Sequence, residues 1–168
     1  TLQPGQDLLA FVDRGARLGA LLDWDVSGAQ AARHNTPNAL TLWLRQLGLE
    51  RPSAHGKFVP APVFRLQREQ LALFLNRLFA TDGWASVLTS GQPQVGYASV
   101  SEKLARQIQH LLLRFGIIAK LRQRWVRYRD ARRSSWQLEI TDAGSLAQFV
   151  DAIGIHGKAA AIARVRTA

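Results

Sequence analysis

Residues 68–83, REQLALFLNRLFATDG, decide the fold. Leu71, Leu73, Phe74, Leu75, Leu78 and Phe79 recur at helical spacing over more than one stripe, which predicts a helix over 68–81 packed on more than one side. Asp82 and Gly83 stop it. Downstream, residues 84–89 and 95–100 read as two strands joined by a Ser-Gly-Gln-Pro turn. Ser99 and Glu102 have capping-box spacing for a helix whose inward face is Leu104, Ile108, Leu111, Leu112 and Phe115, ended by Gly116. A long basic strand over 118–128, a polar turn, a strand over 136–140 and a helix over 145–153 complete this half. The order helix, strand, strand, helix, strand, strand is that of an α+β domain.

Upstream, Leu8, Phe11, Val12 and Leu18 space a helix that Gly19 can end, and residues 20–26 suit a short strand. A second helix runs from about Asn38 through Leu40, Trp43, Leu44 and Leu47 to Gly48. The proline-rich stretch 50–62 is a connection. Leu40, Trp43, Leu44, Leu47, Gly48 and Leu49 match Leu146, Phe149, Val150, Ile153, Gly154 and Ile155 position for position. Each set is followed by a Gly-Lys pair, Gly56-Lys57 and Gly157-Lys158, so the chain reads as an internal repeat.

Composition narrows the chemistry. No cysteine means no disulfide, thiolate zinc site or cysteine nucleophile, and four scattered histidines leave oxygen-bound hard cations as the metals to expect. Neither a membrane-spanning run nor a signal peptide is legible, so a cytoplasmic location with no membrane partner is expected. The formal net charge is +10, and residues 101–135 alone carry a net +8. Such a chain seeks polyanions. Arginine supplies 18 of the 22 basic residues, and its planar fork suits phosphate and the paired acceptors of guanine. Along the basic strand Lys120, Arg122 and Arg124 share one parity, whereas Arg127 and Arg129 take the other. A bulge near Trp125 and Val126 is expected if all five are to face one duplex. Gln123, Gln137, Arg132 and Arg133 are further candidate DNA contacts, and Trp136 is expected in the core. The plain alternative is a solvated basic face.

Leu75-Asn76-Arg77-Leu78-Phe79-Ala80-Thr81-Asp82-Gly83 resembles the dodecapeptide motif of LAGLIDADG homing endonucleases, with Asp82 and Gly83 in its last two places. Lys57-Phe58-Val59-Pro60, Leu71-Ala72-Leu73-Phe74-Leu75, Asp82-Gly83-Trp84, and the stretch from Ser101-Glu102-Lys103-Leu104 through Arg114-Phe115-Gly116-Ile117 resemble endonuclease regions of inteins, especially those inserted in replicative DNA helicases. The resemblance implies αββαββ repeats with pseudo-two-fold symmetry and site-specific cleavage of double-stranded DNA with Mg2+. Residues 1–62 then form a partial first endonuclease repeat and 63–168 the second, which holds the motif helix. The first repeat lacks its own motif helix, since Asp23 and Asp25 flank Trp24 without a long apolar helix or a following glycine.

Phosphodiester hydrolysis needs a divalent cation to offset developing charge and acidify a water, and carboxylates are suitable hard ligands. On the resemblance Asp82 is a metal ligand, with the Gly83 backbone beside it, and Lys57, Lys158 and Lys120 are catalytic candidates. Lys158 as a surface lysine and Lys120 as a phosphate contact are the alternatives for those two. Cutting both strands needs two acidic motifs. Self-association through the Asp82 helix, or pairing with a motif located before Thr1, would supply the second. A non-catalytic DNA-binding module and a structural insert stay open as other functions. Without an initial cysteine or serine and a terminal His-Asn pair, the inserted endonuclease region alone is expected.

Overall fold

The computed structural model describes residues 39–50, 52–128 and 131–168. The helix expected around Leu8 to Leu18, the strand over 20–26, and with them the start of the first repeat, lie outside the described residues, as does Arg129. The chain divides into two compact units, Thr1–Arg51 and Pro52–Ala168. In the first, α1 (Ala39–Gln46) ends as expected at Gly48, whose φ of 71° lets Leu49 donate back to the Leu44 carbonyl at 2.8 Å.

The second unit opens with a 3-10 turn (Ala61–Arg65) and continues through α2 (Arg68–Asp82), β1 (Gly83–Val87), β2 (Pro93–Ser99), α3 (Glu102–Leu113), β3 (Lys120–Tyr128), β4 (Ala131–Ile140), α4 (Ala143–Ala152) and α5 (Ala159–Thr167). The expected α+β order is present. All pairings are antiparallel and the strand order is β1-β2-β4-β3, so β1 and β3 are the two edges.

Helices cover one face of this sheet, because only alternate strand residues are apolar. Ala85, Val95, Tyr97, Leu138 and Ile140 are buried with Leu71, Leu75 and Phe79 of α2, Leu104, Ile108, Leu111 and Leu112 of α3, and Leu146 and Phe149 of α4. Phe79 is the hub: its ring centroid lies 5.2 Å from Tyr97 and 4.9 Å from Phe149. An amide in the middle of the apolar motif helix is also used. Asn76 donates to the Ile153 carbonyl at 2.9 Å, which joins α2 to the end of α4 where Gly154 turns with φ 63°.

Several expectations need correcting. The cap of α3 is Ser101, which accepts from the Leu104 N–H at 3.2 Å; Ser99 instead accepts from the Ser101 N–H at 3.0 Å. The cap must directly precede the first helical residue, which Ser99 does not. Strand β4 begins at Ala131, five residues before the expected start, since its polar first half pairs with β3 in a ribbon where no core demands apolar residues. Helix α5 is an addition to the expected order, formed by a run of alanines with good helix propensity. Finally, α2 is fully buried along the single stripe Leu71, Leu75, Phe79, whereas Leu73 is 53% exposed. No helix among the described residues is long and apolar enough to cross a membrane.

At the end of α2, Gly83 donates its N–H to the Phe79 carbonyl. A Cβ on Gly83 would lie 2.6 Å from that carbonyl oxygen and 2.7 Å from the Phe79 ring, both backbone and core being unable to yield. Gly83→Ala is therefore expected to destabilise the chain by ~1–3 kcal/mol, read as a lower midpoint in urea unfolding with an unchanged slope.

Candidate nucleic-acid interface

The uncovered face of the sheet is built in rows. Direct cross-strand partners point to the same side, so Trp84, Gly96, Glu139 and Lys120 form one row across all four strands. Ala98, Gln137 and Arg122 form the next. Trp84 lies flat on Gly96, where its ring occupies the space a side chain would need. Around this floor an open trough of about 420 Å³ is lined by Trp84, Gln94, Lys120, Arg122, Arg124, Gln137 and Glu139. Three strand spacings separate the β1 and β3 edges, ~14 Å. That is close to the ~12 Å width of a B-DNA major groove.

The ribbon of β3 and β4 runs in unbroken register from Lys120↔Glu139 to Tyr128↔Ala131. The bulge expected near Trp125 and Val126 is not there. Arg122, Arg124, Gln137 and Arg133 therefore share the trough face, while Gln123, Arg127 and Arg132 lie on the opposite face with Trp125. The physical reason is that the ribbon outruns the helices: beyond Arg124 and Ser135 no described side chain is buried, Trp125 is 67% exposed, and nothing forces the charges to one side. Trp136, expected in the core, is half-buried at this margin, with the Arg106 guanidinium 5.5 Å from its ring centroid. Three basic residues of the charged region serve the fold. Arg114 donates to the Phe64 and Leu66 carbonyls, Arg106 pairs with Glu102, and Lys103 sits over the Phe58 ring.

Asp82 is exposed at the last position of α2, directly before edge strand β1. Its charge acts on the buried Tyr97 phenol. Burial pushes the Tyr97 hydroxyl up to about 12, the Asp82 charge adds to the rise, and a hydrogen bond with Thr81 opposes it. Lys158, half-buried at the start of α5, donates to the Gly83 and Phe79 carbonyls. An ammonium thus holds the last carbonyls of the motif helix, a favourable place for positive charge. Lys57 is exposed, and its carbonyl accepts from the Ser101 hydroxyl at 2.6 Å. Ser101 follows β2, whose pairing with β1 ends at Gly83↔Tyr97, so Lys57 is tied to the Asp82 end of that hairpin. Lys120 belongs to the trough on the far edge strand.

Asp82 offers one hard ligand, its carboxylate, and among the described residues no three acidic, histidine or cysteine side chains gather to complete a metal shell. Mg2+ accepts such a place, because it is commonly held by one or two carboxylates with water and substrate phosphate as the rest. The Gly83 carbonyl is already engaged by a cation, Lys158. Sequence reading missed Trp84, Gly96, Tyr97 and Glu139. The Asp-Gly-Trp triplet and the alternation of Gly96 with Val95 and Tyr97 carried the signal for the first three, while the role of Glu139 needed the register.

A family model described as a LAGLIDADG-like domain matches residues 69–154. The chain is 36% identical over 138 residues to the replicative DNA helicase DnaB of Synechocystis, covering 80% of this chain and 16% of that protein. It is likewise 36% identical over 141 residues to DnaB of Rhodothermus marinus, covering 81% of this chain and 15% of the relative. RecA of Mycobacterium tuberculosis is 33% identical over 121 residues, which is 67% of this chain and 15% of RecA.

The Tyr97 environment has a measurable consequence. In the unfolded chain a tyrosine ionises near its ordinary value of 10.0, whereas in the folded chain Tyr97 holds its proton to about 12. Between those values the folded state binds the extra proton, so stability falls with rising pH, by ~1.4 kcal/mol per pH unit from this group. Tyr97→Phe is expected to lose that increment of slope in alkaline unfolding titrations, and an unchanged slope would refute the assignment.

Proposed function

The chain belongs to the LAGLIDADG-like family, and from that premise we propose that it is an intein-type homing endonuclease region that binds and cleaves a specific double-stranded DNA site. The observation that carries the reading is the placement of the exposed Asp82 carboxylate at one edge of a sheet whose open face bears Lys120, Arg122 and Arg124 at the other. A duplex laid across the strands meets both. Insertion is supported by the relatives: one stretch of this chain matches about a sixth of a helicase and of RecA, proteins with different names and hosts. A mobile segment carried by unrelated hosts gives this pattern.

Asp82 is the residue to hold Mg2+, which when bound offsets phosphate charge and lowers the pKa of water. The chain's own groups do the rest. Lys158 fixes the Gly83 carbonyl and with it the angle at which Asp82 leaves the helix. Lys57, exposed at the Asp82 end of the β1–β2 hairpin, is placed to meet a phosphate there. Arg122, Arg124, Arg133 and Gln137 face the groove, and Arg127, Arg132 and Gln123, on the other side of the ribbon, meet its flank. The part of α2 around Leu73, 53% exposed, is where a second motif helix would lie, from another copy or another part of the protein. A single acidic motif serves one strand, so a nick is the expected product.

A second reading, a DNA-binding module without cleavage, is favoured by one observation: Lys158 already occupies the backbone oxygen beside Asp82. One experiment separates the two. Supercoiled plasmid carrying an intein-free replicative helicase gene is incubated with the protein and Mg2+. Nicked circles from the wild type, reduced roughly 10²-fold or more in Asp82→Asn with DNA binding retained, are expected for the endonuclease. Binding that weakens steeply with salt, with no nicking, belongs to the module, and failure to bind at low salt defeats both.

A further inference from the structure

A carboxylate stands in the middle of the cationic trough. Glu139 occupies the row between Gly96 and Lys120, and its side chain is only 15% exposed. It accepts from Arg124 Nη2 at 3.2 Å and lies 3.7 Å from Arg122 Nε. Arg124 pairs across the ribbon with Ser135, four residues before Glu139 on β4, so its side chain reaches along the strand toward the carboxylate. Both arginines are thereby drawn down over the sheet. A surface whose task was only to grip phosphate would not keep a negative charge at this point, since like charges brought together across an interface cost several kcal/mol.

What a half-buried carboxylate can welcome there is a hydrogen-bond donor. In the major groove the donors are the exocyclic amino groups of cytosine and adenine, and a Glu accepting from cytosine beside an Arg donating to the paired guanine reads one base pair from both sides. Arg122 and Glu139, 3.7 Å apart, are close enough to share one base pair in that way. Resting on the DNA-binding reading above, we infer that Glu139 is a specificity-determining residue: it restrains Arg122 and Arg124, keeps phosphate from the centre of the trough, and accepts a base amino group there. Its effect is to weaken binding to arbitrary DNA while favouring sites with a donor at this position.

The test compares wild type, Glu139→Gln and the double variant Arg122→Ala/Arg124→Ala on a short duplex of random sequence, by fluorescence anisotropy across a salt series. A second arm selects bound sequences from a randomised duplex pool. Glu139→Leu, used in the selection arm, removes the acceptor oxygens altogether; Glu139→Gln keeps the size of the side chain while removing its charge, and an unchanged melting temperature verifies its fold. It is expected to bind random duplex about tenfold tighter at 0.1 M salt, with a salt slope steeper by ~1–2 as the two arginines reach phosphates. The pool selected by Glu139→Leu loses the cytosine or adenine enrichment that the wild type shows at one position. Binding of random duplex by Glu139→Gln no tighter than by wild type, or an enrichment that persists in Glu139→Leu, overturns the assignment. If the double variant weakens binding while Glu139→Gln does nothing, the DNA-binding reading stands and only the role of Glu139 falls. If the wild type binds no duplex at all, that reading fails and takes this one with it.

Discussion

The close approach of Gly83 to Phe79 is the constraint on which the rest of this structure depends. Phe79 is the centre of the aromatic cluster, and its carbonyl receives the Gly83 N–H and the Lys158 ammonium. With no room for a Cβ, the chain passes from helix to strand in a single residue. The carboxylate of Asp82 therefore leaves the protein at a fixed height relative to the sheet, and the outer face of β1 begins with Trp84 on Gly96. A looser connection would separate the helix end from the sheet and uncouple the acidic group from the basic surface.

Much of this was legible in the sequence, for reasons that can be named residue by residue. The stripe of Leu71, Leu75 and Phe79, the alternation in β2, and the face of α3 from Leu104 to Leu112 all answer to burial, and burial leaves a periodic mark. The motif ending in Asp82-Gly83 was legible because two unusual demands coincide there, a tight turn and an exposed acid. Where burial stops, so does the mark. The ribbon beyond Arg124 and Ser135 has no inner face, and the change of parity between Arg124 and Arg127, which suggested a bulge, is carried by an ordinary ladder with charges on both sides. The helix cap was misplaced from Ser101 to Ser99 because serines two apart offer the same chemistry, and only the backbone decides between them.

The lysines show the same boundary at the level of the site. The resemblance made three of them candidates, but resemblance does not give direction. Lys158 turns inward onto the carbonyls that close the motif helix, Lys120 belongs to the trough, and Lys57 is held by its backbone through Ser101. Glu139 shows the converse. It is one acid among many basic residues in sequence, and its meaning comes from two arginines that different ladder positions deliver to it.

The division between a buried sheet half and an overhanging ribbon has an evolutionary consequence. Replacing an exposed residue such as Trp125 or Arg127 removes little buried surface, so drift in the ribbon is tolerated by the scaffold. A lineage can rewrite its overhang one residue at a time while the framework under it is inherited unchanged.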